Sequence, residues 1–178
     1  MGRTHIIIGV SCGVALIPAV EGGQLTPAQL GFIMVGLTVG SLLPDIDHPH
    51  SLISQQLPLV GSIISKLTRH RGLFHSILGV VMMFGLSAWL AIMMAGGLSS
   101  MGIQSADSAT RYIASGLMIG YILHIIADMV TVSGIRLFYP LQRNIRIPLF
   151  RTGGFRERGL VLTLIVLSTL QIIALFID

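Results

Sequence analysis

The sequence predicts an all-α membrane protein: about five transmembrane helices, a short interfacial helix and a basic cytoplasmic loop, in a single integral membrane domain over 1–178. Three observations predict it. The first is composition. Hydrophobic residues make up 53% of the 178 and charged residues 10%, against roughly 25% charged in soluble domains, and mean hydropathy is +0.86. A soluble chain of this length cannot bury so much apolar surface, so lipid must cover part of it. The second is a series of five apolar runs close to the roughly 20 residues a spanning helix needs. The third is the lopsided charge of the segments between them.

The first run is about 5–20. Arg3 ahead of it would also suit a signal peptide, but an uncleaved helix is preferred because His5 proves useful below. The second run is about 28–43, entered through Thr26-Pro27 and stopped by Pro44. Both are short, so one is expected to be tilted, shortened or partly buried in protein. Residues 44–72 follow. Leu57, Val60, Ile63, Ile64 and Leu67 recur there at roughly helical spacing, which predicts an amphipathic helix lying in the interface. The third run is about 73–94 and the fourth about 112–132. Residues 133–158 carry Pro140, Pro148, Gly153 and Gly154 among six arginines, which predicts an irregular or hairpin-like segment on the membrane surface. The fifth run is about 159–177. Cys12, the one cysteine, has no partner for an intrachain disulfide and reads as packing.

With the N-terminus in the cytoplasm, Arg3, Lys66, Arg69, Arg71, Arg136, Arg143, Arg146, Arg151, Arg156 and Arg158 all fall on that side, and only Arg111 falls outside. The positive-inside rule therefore sets the N-terminus in the cytoplasm and the C-terminus outside, in a bacterial-type inner (plasma) membrane. The isoelectric point near 10.0 is a topology signal and a source of contacts for anionic lipid headgroups, not a sign of nucleic-acid binding.

Small residues place the helices against one another. Gly9 and Gly13, Gly36 and Gly40, and Gly116 and Gly120 form GxxxG patterns in the first, second and fourth runs, each allowing close backbone approach. Four residues further along the same face, the first pattern meets His5, and the fourth-run pattern meets His124 and then Asp128. In the third run Gly79 leads to His75. The second run ends in Leu43-Pro44-Asp45-Ile46-Asp47-His48-Pro49, just past a helix terminus. The four runs alternate in direction, yet each delivers its histidine or aspartate to the same membrane face.

Each group has a plainer reading. His124 and Asp128 could be a hydrogen-bonded pair bridging helices, although ionisable groups this deep in an apolar run are usually functional. The Asp-x-Asp-His stretch could be a capped turn, His5 ordinary N-terminal polarity, and His70 an interfacial residue. His50 reads as structural or solvent-facing. Taken together, neutral imidazoles and carboxylates converging from several elements suit a divalent ion, with zinc ahead of manganese or iron. The expected ligands are His5, Asp45, Asp47, His48, His70, His75, His124 and Asp128. They could hold one ion or two.

These same residues carry a family resemblance. His5, Leu43-Pro44-Asp45-Ile46-Asp47-His48-Pro49, His70-Arg71-Gly72 with His75-Ser76, and His124-Ile125-Ile126-Ala127-Asp128 followed by Thr131 resemble, in matching order over most of the chain, the YdjM-like inner-membrane proteins described as metal-dependent hydrolases. Phe74 departs from the threonine often found there. A more distant likeness is to zinc-dependent phospholipase C and single-strand nucleases, by analogy only. The resemblance implies a hydrolase. The residues refine it to attack by metal-activated water on a phosphoester of a lipid or lipid-linked substrate, with Asp47 as ligand or general base and Arg71 steadying the phosphate. The rivals are a proton or metal-ion pathway and a structural metal. The outer halves of the runs are nearly free of ionisable groups, which argues against a pathway. Oligomeric state is not legible.

Overall fold

The structure, a computed structural model, describes residues 2–21, 25–67, 72–100 and 106–177. Seven helices are present among them: α1 (Gly2–Glu21), α2 (Pro27–Gly40), α3 (Leu52–Gln56), α4 (Pro58–Leu67), α5 (Ile77–Ser100), α6 (Ala106–Met129) and α7 (Phe155–Ile177). Short 3-10 turns at Leu43–Asp47 and Leu73–His75 precede α3 and α5. Four stretches are long and apolar enough to cross a membrane: Pro27–Asp47, Ile77–Met94, Ser108–Met129 and Phe155–Ala174. The Thr4–Leu16 stretch is shorter. The expected set of about five helices is therefore present.

The second span is one helix plus a turn. Thr26 caps α2 in a reciprocal box: its hydroxyl accepts the Gln29 N–H at 3.3 Å, and the Gln29 side chain accepts the Thr26 N–H at 2.8 Å. The helix ends at Gly40, because Pro44 lacks an N–H and disfavours helical geometry in the residue before it. The chain then tightens into the Leu43–Asp47 turn, with Pro44, Asp45 and Asp47 buried.

α6 is the centre of the bundle, with α1, α2 and α5 packed around it and α7 against α1. The glycine patterns explain the closest contact. A Cβ on Gly36 would stand 2.8 Å from the Leu117 nitrogen and 3.0 Å from the Gly116 Cα, and a Cβ on Gly120 would stand 3.0 Å from the Ser41 nitrogen. So α2 and α6 meet backbone to backbone, as small-residue interfaces allow. Gly9 and Gly13 lie against Ser41 and Leu37 of the same region. α7 is joined to α1 by Ser168 to Ser11 (3.1 Å between hydroxyls) and by Gln171 donating to the Val14 carbonyl at 3.1 Å. The outer faces of α5 and α7 leave Val81, Phe84, Ile92, Leu162 and Leu167 exposed, as lipid-facing helices do.

The expected interfacial helix is α4, which carries Val60, Ile63, Ile64 and Leu67. A further short helix, α3, precedes it and is capped at Leu57, which is out of helical geometry (φ −124°, ψ 66°) before Pro58. α4 exposes Leu59, Val60 and Ile63, while Gly61 sits against Ser54. Ser54 in turn donates to the Ile46 carbonyl at 3.0 Å, which ties α3 to the aspartate-bearing turn.

The third run begins later than its apolar pattern suggests. Ser76 is the cap: its backbone is extended, and its hydroxyl accepts the Gly79 N–H at 3.3 Å and donates to the Leu73 carbonyl at 2.6 Å. His75 therefore lies in the turn before α5, not on the helix face above Gly79. Ser76→Ala should cost about 1 kcal/mol of stability, read as a lower melting temperature in detergent. An unchanged melting temperature would count against this cap.

The basic segment is hairpin-like, as its composition predicts. Ile135 and Ile145 exchange backbone bonds of 3.0 and 2.8 Å, and Gly134 turns the chain at φ +63°. Ile77 donates to the Leu137 carbonyl at 2.9 Å, and Ile147 and Leu149 donate to the carbonyls of Met129 and Val130. Ile135 is fully buried among Met83, Leu117, Tyr121 and Ile125. This part of the segment is thus anchored in the bundle just beyond the end of α6, and its arginines remain outside.

Candidate metal centre

Five side chains from four elements meet at that end of the bundle. His5 comes from the start of α1, Asp45 from the turn after α2, His75 from the turn before α5, and His124 and Asp128 from α6. All are buried. His75 Nε2 lies 3.3 Å from His124 Nε2, 3.7 Å from Asp45 Oδ1 and 3.4 Å from Asp128 Oδ2. His124 Nε2 lies 3.8 Å from Asp45 Oδ1 and 4.0 Å from Asp128 Oδ2. Donors of a tetrahedral zinc with bonds of about 2.0–2.1 Å stand about 3.3 Å apart. The five separations among those two nitrogens and two oxygens lie at or somewhat above that value. His5 Nε2 stands 3.4 Å from the other Asp128 oxygen, Oδ1, and the His5 ring stacks on His124 with centroids 4.1 Å apart.

The orientation of His124 supports the fit. Its Nδ1 is 2.7 Å from the Ser41 carbonyl. A carbonyl only accepts, so Nδ1 carries the proton and Nε2 presents a lone pair to the cluster. A backbone acceptor on the outer nitrogen is a frequent support for a metal-binding histidine. Asp47 plays a similar part for His75: its Oδ2 is 3.7 Å from His75 Nδ1, and both side chains are fully buried. Burial would lower the pKa of His75, which lies just before the α5 span, but Asp45 and Asp47 outweigh it and hold it up at about 9. A proton on His75 and an ion at the cluster answer the same need, positive charge among three carboxylates, and would compete for it.

The His/Asp groups could hold a metal ion. His5, His124 and Asp128 form one such group, and Asp45, His75 and His124 another. Of the residues expected from sequence, these five come together. Asp47 does not join them directly. It sits on the outer nitrogen of His75, because the Leu43–Asp47 turn places its two aspartates on different sides of that ring. His48 is in neither group. It is half-buried, its ring 6.0 Å from that of His50, and its Nδ1 accepts the His50 N–H at 3.2 Å, as the plainer turn reading has it. His70 and Arg71 lie outside the described residues, as does Arg69.

Two supports escaped the sequence reading. Ser41, which orients His124, carries no spacing signal. Tyr121 does, being three residues before His124 on the same face of α6. Its hydroxyl donates to the Phe74 carbonyl at 2.5 Å and so pins the His75 turn to α6. Thr131, noted from sequence, donates to the Asp128 carbonyl at 2.7 Å and closes the end of α6.

The model of a family described as YdjM inner membrane protein matches residues 1–177. The chain is 31% identical to YvsG of Bacillus subtilis over 98% of this chain and 96% of that one. It is also 31% identical to the inner membrane protein YdjM of Escherichia coli over 92% of this chain and 79% of that one. No solved structure matches. The apolar helices and the matched length agree, and the chain belongs to the YdjM inner membrane protein family.

Proposed function

We propose that this chain is a membrane-bound metal-dependent hydrolase acting on a phosphoester of a lipid or lipid-linked substrate. The observation that carries the reading is the convergence of five buried histidine and aspartate side chains, with the His124 tautomer already set for ligation. His75, His124, Asp45 and Asp128 hold the ion, with zinc preferred for this nitrogen and oxygen set and manganese or iron next. When bound, the ion supplies Lewis acidity, polarising a phosphoryl oxygen and making a water more acidic. Asp47 positions His75 and is withdrawn as the base, since its side chain is fully buried behind that ring. Asp45 is the most open member, with 12% of its side chain exposed, and marks the side of the centre from which water and substrate would approach. Arg71 immediately precedes Gly72, whose carbonyl accepts the His75 N–H at 3.2 Å. Its guanidinium is assigned to the phosphate, and the exposed arginines of the 133–158 segment to anionic headgroups.

One-sidedness supports this over a transport path. Arg111, exposed at the far end of α6, is 17 residues from Asp128, about 26 Å of helix. No histidine or charged residue lies between Arg111 and His124. A proton or ion path needs polar steps across that distance.

The test is a screen of lipid phosphoesters with purified protein loaded with zinc, manganese or iron. Turnover is expected with at least one ion. Asp47→Asn should retain the ion with affinity weakened about 10–100-fold. Arg71→Lys should lower turnover without changing ion content, because the bidentate fork is lost. No hydrolysis with any of the three ions would hand the site to the structural-metal reading.

Orientation is proposed from charge: N-terminus and site cytoplasmic, C-terminus external. In sealed cells, cysteine at Gly2 should resist an impermeant maleimide and cysteine at Asp178 should react. Labelling of the N-terminal cysteine from outside would invert the topology and the site with it.

A further inference from the structure

We propose that the centre is built for two ions, bridged by the Asp128 carboxylate, with His5 serving the second. The inference rests on the metal reading above and concerns how the five groups divide. Separations of 3.3–4.0 Å link His75 Nε2 and His124 Nε2 to each other, and each of them to Asp45 Oδ1 and to one oxygen of Asp128, Oδ2. A tetrahedral ion is satisfied by four. The other Asp128 oxygen, Oδ1, is paired with His5 Nε2 at 3.4 Å, again the separation of two donors on one ion. The lone pair on His124 Nε2 serves only one ion, and His124 Nδ1 is occupied by the Ser41 carbonyl. His5 is therefore supernumerary for the first ion and correctly spaced for a neighbour that shares Asp128. Paired ions about 3.5–4 Å apart suit a phosphoester, whose attacking and leaving oxygens are then both held.

The two positions are unequal. Asp47 and the Ser41 carbonyl stand behind the first pair of histidines. His5 Nδ1 is buried with no hydrogen-bond partner among the described residues, so its ring is oriented by stacking on His124 and by the Asp128 contact of its other nitrogen, with nothing behind it. Without an outer acceptor the ligand is less fixed and less basic. With fewer protein donors as well, the second ion binds more weakly and leaves first.

The experiment is stepwise loading of the purified full chain with manganese. Metal per chain is read by mass spectrometry, and spin coupling by low-temperature electron paramagnetic resonance. Wild type should saturate at two ions, the second giving an exchange-coupled signal and being removed first by chelator. His5→Ala should saturate at one ion with an isolated manganese spectrum. A wild type that saturates at one ion overturns the inference, and that measurement needs no variant to fold. A His5→Ala chain that still takes two, or takes none, overturns the assignment of His5. Hydrolysis by the same samples separates the two readings. A one-ion wild type that turns over substrate sinks only this inference. A two-ion wild type inert on every phosphoester sinks only the hydrolase.

Discussion

His124→Ala is expected to empty the centre. The substitution removes the one residue shared by both groups of candidate ligands, takes away the stacking surface of His5 and leaves the Ser41 carbonyl buried without its donor. Loss of one of four donors should reduce metal retained against a chelator at least about tenfold, the lower bound already typical of losing a mere supporting contact. Stability should fall as well. The stranded carbonyl costs about 1–3 kcal/mol, and loss of ion binding to the folded state adds to that at any ion concentration above the dissociation constant. His50→Ala, at an exposed position, should change neither property. Equal metal content in His124→Ala and wild type would remove α6 from the site.

Gly116→Leu is expected to do more damage to the fold than any single ligand change. A Cβ at Gly116 would stand 3.0 Å from the Leu37 nitrogen and 3.2 Å from the Gly36 Cα. These are backbone atoms, which move aside only if α2 and α6 separate. Overpacking of a side-chain core costs about 1–3 kcal/mol, and a backbone contact has less room to yield, so at least ~3 kcal/mol is expected. Because α2 leads into the Asp45 turn and α6 carries His124 and Asp128, the ion should be lost in the same variant. Gly85→Ala is the contrast. A Cβ there meets nothing within 4 Å, and alanine is about 1 kcal/mol the better helix former, so that variant should match or exceed wild type. A Gly116→Leu chain that melts with wild type would refute the close crossing.

That crossing shows what was legible in the sequence. The paired glycine patterns and the histidines four residues beyond them are local, periodic signals, and a helix turns periodicity directly into a common face. His5, His124 and Asp128 were singled out that way, and Asp45 because Pro44 marks a helix end; the fold brings these side chains together. The placements that differ from the sequence reading lie where the backbone leaves the helix. Ser76 starts α5 after His75, and no apolar pattern marks that cap. The 3-10 turn parts Asp45 from Asp47, so two aspartates that look equivalent in Asp-x-Asp end on opposite sides of His75. His48 follows them in sequence, and its Nδ1 accepts the His50 N–H. Ser41 supports the site through its carbonyl, a group every residue has, so its role has no sequence signature at all.

The central claim is that these side chains hold a divalent ion directly. X-ray absorption on zinc-loaded wild-type protein tests it most directly, because it reads the atoms around the metal. The account predicts a shell of nitrogen and oxygen at about 2.0–2.1 Å with outer scattering from at least two imidazoles, and loss of that imidazole signal in His124→Ala. Zinc surrounded by oxygen alone, without imidazole scattering, would contradict it, as would a protein that retains no zinc after exchange into metal-free buffer.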